Sequence, residues 1–232
     1  VGIFLLPWLI NESLLKQAES SIPKVQVIPP AFAQAPLTTS SVQALADYQF
    51  QLQMYRQAHT EYERKKNLYE AFQTLTAKAE AITATKNLLT QRDETLRTYI
   101  FALRIYLHET PQIAENTKAQ ALSDLTKYES SLRTHAQTIS SITSVADLNH
   151  QSLEIENQYP NIQELSFKSL YSILKGQQTN YASQLTAIHN QLQTLASTAS
   201  DGEIDKPRIN QWLQDSQETL HQNNISYTQA EE

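Results

Sequence analysis

The chain has 232 residues, a formal net charge of -6 and no cysteine. The acidic balance argues against nucleic acid as a partner, because phosphate binding needs clustered Lys and Arg. The lack of cysteine excludes disulfides, thiol catalysis and cysteine-ligated zinc. Only three glycines occur, so a fold that depends on many tight turns is disfavoured and an all-α fold with long helices is predicted.

Residues 1–10 form an apolar run that is too short to cross a bilayer, which takes about 20 apolar residues. The run lacks an initiator Met and has two interpretations. It is either a retained functional arm or the remnant of a secretory signal or membrane anchor, with a small-x-small site at Ala31-Phe32-Ala33. Contact with a membrane is expected only if the run is an anchor remnant.

Four of the eight prolines lie at positions 23, 29, 30 and 36. Since proline fixes φ and blocks helix, residues 21–37 are predicted to be extended, and residues 24–28 alternate like a strand. We therefore assign residues 1–40 to a Pro-rich N-terminal arm. The arm either folds back on its own helices or docks on a neighbouring subunit and links molecules head to tail. The candidate self-assembly residues are Ile3, Phe4, Leu5, Leu6, Trp8, Leu9, Ile10, Val25, Val27 and Trp212.

Residues 41–199 are assigned to a body of long helices. A heptad seam begins at Leu45, and tyrosines recur in it every seven residues, at Tyr48, Tyr55, Tyr62 and Tyr69. They are interpreted as bundle core, with an intersubunit stripe as the alternative. A second seam starts at Leu75, about one residue out of phase, and includes Asp93. This offset indicates either a stammer in one helix over 41–108 or a tight turn near Thr74. We expect the single helix, because no Gly or Pro occurs between residue 41 and Pro111.

Pro111 and Pro160 are predicted to end helices, which gives further helices over 112–159 and 162–199. The seam of the last helix includes Leu174, Tyr181, Ile188 and Leu195. The β-branched and hydroxyl residues of 138–144 favour fraying, with Asp147 as the cap of a restart. Gly176 costs its helix about 1 kcal/mol without stopping it. Three long helices with short connections predict an elongated antiparallel helical bundle or coiled-coil rod. Residues 200–232 are predicted to form a short amphipathic helix, which contains Trp212, and a polar tail.

The sequence predicts no catalytic, cofactor or metal site, and the protein is not expected to be an enzyme. His59 lies in the first seam, where a packed histidine is the simpler interpretation. No His-Glu-x-x-His motif occurs, and three scattered glycines cannot form a phosphate-binding loop.

Two stretches of the body carry a resemblance. They read Asp47-Tyr48-Gln49 with Tyr55-Arg56-Gln57-Ala58-His59, then Leu88-Leu89-Thr90-Gln91-Arg92-Asp93-Glu94-Thr95-Leu96-Arg97-Thr98-Tyr99. Over roughly residues 41–110 the chain resembles uncharacterised secreted α-helical surface proteins of small-genome, candidate-phyla bacteria. The resemblance implies export and carries no catalytic residue. This chain departs from that pattern by its long arm, where those proteins usually have an ordinary cleaved signal.

These observations favour an exported structural protein that self-assembles into an extracellular filament or surface array, with other copies of itself as partners. The alternative is a monomeric periplasmic or cell-surface helical binding or spacer module, with or without a membrane anchor at its N-terminus. In both cases the expected location is secreted or at the cell surface.

Overall fold

The computed structural model describes residues 40–198 and 205–231. Within these ranges the regular structure consists of five α-helices and contains no strand, so the predicted all-α class is confirmed. The helices are α1 (Ser41–Phe72), α2 (Leu75–Glu109), α3 (Glu115–Ser141), α4 (Val145–Thr198) and α5 (Lys206–Glu231). The predicted Pro-rich arm lies outside the described residues.

The expected single helix over 41–108 is wrong, because the chain turns between α1 and α2. Gln73 adopts the left-handed conformation, with φ 48°, and its amide donates to the Tyr69 carbonyl oxygen at 2.9 Å. The Thr74 hydroxyl then accepts from the Ala77 amide at 3.1 Å and so caps the start of α2. The alternative of a tight turn near Thr74 is confirmed. A glutamine here takes the left-handed cap position that glycine usually occupies.

The chain divides into two compact units, which are described separately. The described part of the first unit comprises residues 40–109 and 115–170. In this unit α1 and α2 are antiparallel, since Lys65 Nζ lies 2.6 Å from Glu80 Oε2 and the Tyr48 and Tyr99 rings lie 5.4 Å apart. The seam tyrosines Tyr48, Tyr55 and Tyr62 are all buried. These three tyrosines are therefore core residues, as predicted, whereas Tyr69 is only partly buried.

Helix α2 is the central helix of the first unit. It buries thirteen residues where α1 buries six. Thr95 Oγ1 on α2 donates to the Gln51 carbonyl oxygen of α1 at 3.1 Å. Leu89 of α2 packs with Ile139 of α3 and Leu148 of α4. Because three helices surround α2, its apolar pattern is broader than a single heptad seam.

The predicted helix over 112–159 is split in the structure. Ser144 Oγ accepts from the Asp147 amide at 3.1 Å and donates to its carboxylate at 2.7 Å, so Ser144 is the N-cap of α4. The break expected in 138–144 is confirmed at 142–144, with Ser144 rather than Asp147 as the N-cap. The expected helix end at Pro160 is wrong, because Pro160 lies inside α4. Burial of Ile155 and Ile162 on either side holds the helix together despite the hydrogen bond that proline removes.

The described part of the second unit comprises residues 110–114, 171–198 and 205–231. The 110–114 segment crosses α4 at Gly176. A Cβ placed on Gly176 would lie 2.7 Å from the Pro111 carbonyl oxygen and 2.8 Å from side-chain atoms of Thr110 and Ile113. Glycine at this position permits the crossing, and this close approach accounts for a residue that otherwise weakens the helix.

Candidate interaction surface

The predicted self-assembly residues fall in two places. Nine of the ten, Ile3, Phe4, Leu5, Leu6, Trp8, Leu9, Ile10, Val25 and Val27, lie outside the described residues. The tenth, Trp212, lies on α5, is 51% exposed, and carries the Arg208 guanidinium 5.0 Å from its ring centroid. An arginine over the face of a tryptophan is a cation–π contact that leaves much of the ring available to a partner.

The largest group of exposed apolar side chains in the second unit lies on one face of α4. We call these residues the α4 stripe, and their exposed fractions run from 47% to 59%. The stripe consists of Tyr171, Leu174, Tyr181, Leu185, Ile188 and Leu195. Successive members of the stripe are separated by three, four or seven residues. These intervals place all six side chains on the same side of the helix. The sequence analysis assigned part of this face to the seam of the last body helix.

Helix α5 covers the flank of α4 beside the stripe. His189 Nδ1 lies 2.8 Å from Ser216 Oγ. Ser216 already donates its hydroxyl hydrogen to the Leu213 carbonyl oxygen, so the imidazole Nδ1–H donates to Ser216. Ile209 and Leu213 of α5 are half-buried. This arrangement of two helices leaves the stripe itself without full cover in the described part of the unit.

The first unit contains a buried ionic cluster where α2, α3 and α4 meet. The two carboxylate oxygens of Asp93 divide between partners, with Oδ1 3.4 Å from Arg92 Nε and Oδ2 2.5 Å from His135 Nδ1. His135 Nε2 donates to the Gln151 carbonyl oxygen at 2.9 Å, since a carbonyl can only accept. Arg92 Nη1 donates to Ser152 Oγ at 3.2 Å. The cluster thus ties three helices together through charges that are paired inside the protein.

A second cluster joins α2 to α3 through Glu129. Its carboxylate lies between two arginines of α2, with Oε1 3.5 Å from Arg97 Nη1 and Oε2 paired with Arg104. Arg97 also binds Glu94, with Nε 2.9 Å from Glu94 Oε2. This hydrogen bond lowers the pKa of Glu94, and the Coulombic attraction of Arg97 adds to the effect. The four side chains form a charge-balanced contact that is consistent with a structural role.

The tyrosine core has a measurable electrostatic consequence. Burial raises the pKa of Tyr62 to about 12, with smaller contributions from the carboxylates of Glu63 and Glu70. Burial likewise raises the pKa of Tyr99 to about 12, although its hydrogen bond with Ser166 acts in the opposite direction. Both hydroxyls therefore stay neutral well above the ordinary titration range of tyrosine.

The sequence analysis missed the buried charges. Asp93 was placed in the second seam without a partner, and Glu129 and His135 were not assigned to the core. The sequence did contain a signal for their burial. Glu129 lies four residues after Leu125 and His135 lies three residues after Leu132, so both are on the apolar face of α3. A charge on an apolar face indicates a buried pair, but the sequence does not indicate which partner it has.

Within the described ranges, no group of three or more His, Cys, Asp or Glu side chains could hold a metal ion. One Glu-x-x-His spacing, Glu218 to His221, occurs on α5. A di-iron helical bundle needs two such pairs and two further glutamates on facing helices. None of the described helices is both long enough and apolar enough to cross a membrane. In comparisons with known proteins, no family model, curated protein or solved structure matches the chain significantly.

Proposed function

We propose that this chain is an exported structural protein that self-assembles into an extracellular filament or surface array. The observation that supports the proposal best is the α4 stripe, where six large apolar side chains are each about half exposed. Monomeric soluble proteins rarely expose contiguous apolar patches larger than a few hundred Å². Such a surface is typical of a protein that binds other copies of itself or a partner.

In this proposal the N-terminal arm links subunits. Residues 1–10 provide an apolar run that would be an aggregation liability if it remained in water. Docking of this run on a neighbouring subunit is a heterologous contact, which generates an open filament when the rotation between subunits does not close a ring. The helices act as an elongated antiparallel bundle that sets the spacing between successive contacts.

The buried charges of the first unit suit a structural, non-catalytic role. Asp93 binds Arg92 and His135, and Glu129 binds two arginines, all within the protein. Their full use in helix–helix contacts favours a scaffold, because catalytic acids and bases must face a substrate.

Removal of residues 1–36 tests the role of the arm. We expect the truncated protein to keep its helical circular dichroism and to lose the polymers that the full chain forms under negative-stain microscopy. Polymers that persist after the truncation would contradict the proposal. An elongated monomer of the full chain at micromolar concentration would instead support the spacer-module alternative.

Point variants give a sharper version of this test. The double substitution Phe4→Glu and Trp8→Glu keeps the chain length and should abolish polymers by placing charges in the proposed contact. Gln17→Glu with Ser20→Glu adds the same charge in a polar part of the arm and should leave polymers intact. Equal loss in both variants would show that net charge, rather than apolar docking, controls assembly.

A further inference from the structure

We propose that the α4 stripe pairs with the α4 stripe of a second copy of this chain, as an antiparallel, two-fold symmetric helix pair. The contact does not involve the N-terminal arm. A chain that formed no filaments would still dimerise through the stripe, so the two proposals can fail separately.

The spacing of the stripe identifies a helix as the occupant. With Gln178 and Leu192 included, apolar or uncharged residues follow one another from Tyr171 to Leu195 in alternating steps of three and four. This is the a/d pattern of a coiled-coil surface, and it extends for about 36 Å at about 1.5 Å per residue. A surface of this kind is complementary to a second helix with the same repeat.

The same residues are self-complementary in the antiparallel orientation. With the two-fold axis between Tyr181 and Leu185, each of these residues faces the other on the second copy. Leu174 then faces Leu192, and Tyr171 faces Leu195. Five of the six stripe residues thus face a large apolar residue, while Ile188 faces Gln178, and each contact occurs twice about the axis, as an isologous interface requires.

Charge also favours this pairing. Residues 176–200 contain no Asp, Glu, Lys or Arg, so two copies can approach along the stripe without like-charge repulsion. Lys175 precedes this neutral stretch, and Asp201, Glu203 and Asp205 follow it. A parallel pair would bring Lys175 of the two copies together, whereas an antiparallel pair separates them.

The exposed area is of the size that a dimer needs. A large aromatic side chain buries about 150–250 Å², so six half-exposed large side chains leave roughly 500 Å² per subunit available. Two stripes facing each other would bury about 1,000 Å² in total, which is the lower limit for a specific interface. The pairing produces a four-helix arrangement from two helical hairpins.

Residues 1–10 are the competing occupant. Their apolar sequence is interrupted by Pro7 and is shorter than the stripe, so it does not provide a matching heptad repeat. The second copy is the occupant that matches the stripe in length, spacing and charge. The experiments below treat the arm as the alternative outcome.

The first test measures association by analytical ultracentrifugation of the full chain and of the chain without residues 1–36. The truncated chain should form a dimer in the micromolar range, and the full chain should associate through the same contact and form larger species where the arm also docks. Leu185→Glu with Ile188→Glu should weaken the dimer at least about 100-fold, because two charges would be buried in an apolar contact. Ser183→Glu places a charge on the opposite face of the same helix and should leave the dimer unchanged.

The second test uses cysteine cross-linking and does not depend on destabilising the fold. Gln184 and Gln191 are both exposed and lie on the flank of the stripe away from the one that α5 covers. In the proposed orientation Gln184 lies beside Gln184 of the second copy, close to the axis. Because the chain has no cysteine of its own, Gln184→Cys should form a disulfide-linked dimer under mild oxidation, and Gln191→Cys should not.

Several results would overturn this inference. These are a monomeric full chain, a dimer that persists in the Leu185→Glu, Ile188→Glu variant, or equal cross-linking at positions 184 and 191. Loss of the dimer on removal of residues 1–36 would assign the contact to the arm instead.

Discussion

Two seven-residue repeats in this protein differ in burial. In the first unit Tyr48, Tyr55 and Tyr62 recur every seven residues of α1 and are buried against α2. In the second unit Leu174, Tyr181 and Ile188 recur at the same interval on α4 and remain about half exposed. The spacing of the two repeats is identical, but the number of helices that cover the repeated side chains differs. A heptad repeat therefore predicts that a helix needs a partner, but not whether that partner belongs to the same chain.

The two surfaces also differ in charge. The core of the first unit contains Asp93, Arg92 and Glu129, each paired with opposite charges from a neighbouring residue or helix. The α4 stripe lies in a stretch without any charged residue. Charges can be buried where the same chain supplies a partner of opposite charge. A neutral surface can bind a second copy without like-charge repulsion.

The largest expected effect comes from breaking the buried cluster of the first unit. Asp93→Ala removes the carboxylate that Arg92 and His135 share, and leaves the buried Arg92 guanidinium and His135 Nδ1 without this partner. We expect the free energy of unfolding to fall by about 3–5 kcal/mol. Urea denaturation of the full chain measures this change. Asp124→Ala, which breaks the exposed pair with Lys127, is the matched control and should change stability by less than about 0.5 kcal/mol.

Alkaline pH should destabilise the tyrosine core of the first unit. Tyr62 and Tyr99 have folded-state pKa values raised to about 12 from the ordinary value of 10.0. Their contribution to stability is complete below pH 10 and is lost as the pH rises toward 12, by up to about 2–3 kcal/mol for Tyr99. Unfolding free energies measured across this window should fall, and the Tyr62→Phe, Tyr99→Phe variant should show a shallower fall. An unchanged pH dependence in that variant would contradict the assignment.

Gly176→Ala tests the contact between α4 and the 110–114 segment in the second unit. Alanine favours helix by about 1 kcal/mol over glycine, but here its Cβ would meet the Pro111 carbonyl oxygen at 2.7 Å. We expect a net destabilisation of about 1–2 kcal/mol, visible as faster amide exchange in residues 171–198. Asn190→Ala, at an exposed site on the same helix, should be neutral or slightly stabilising. A stabilising Gly176→Ala substitution would show that the 110–114 segment does not pack at this distance.

The smallest effect concerns the start of α4. Ser144→Ala removes the hydroxyl that accepts from the Asp147 amide and should cost about 1 kcal/mol. Ser140→Ala removes an exposed hydroxyl that bonds only within α3 and should cost less. Thermal unfolding followed by circular dichroism compares the two variants, and equal costs would contradict the capping role.

Helix class and the tyrosine core could be predicted from the sequence, because both follow from local periodicity. The offset between the two seams indicated a turn near Thr74 as one of two alternatives. The sequence could not decide between them, since a left-handed glutamine carries no sequence signal comparable to glycine. Pro160 misled the prediction because burial on both sides of it compensates for a missing hydrogen bond. Those contacts come from other helices, which a single-sequence pattern does not reveal.

The candidate surface was predictable in part. Leu174, Tyr181, Ile188 and Leu195 were assigned to a seam on the strength of their spacing, and Trp212 was singled out as an anchor. Their exposure depends on how many helices pack around α4, and local spacing contains no information about that number.

The placement of Glu129 between Arg97 and Arg104 has a consequence for folding. Long helices with repeating apolar residues can slide past one another by whole heptads with little loss of hydrophobic contact. A slip of seven residues would move Glu129 about 10 Å along α2 and would also part His135 from Asp93. A misaligned α3 would therefore leave buried charges without their partners. These charges select one alignment of α3 with α2 among several that the apolar residues alone would allow.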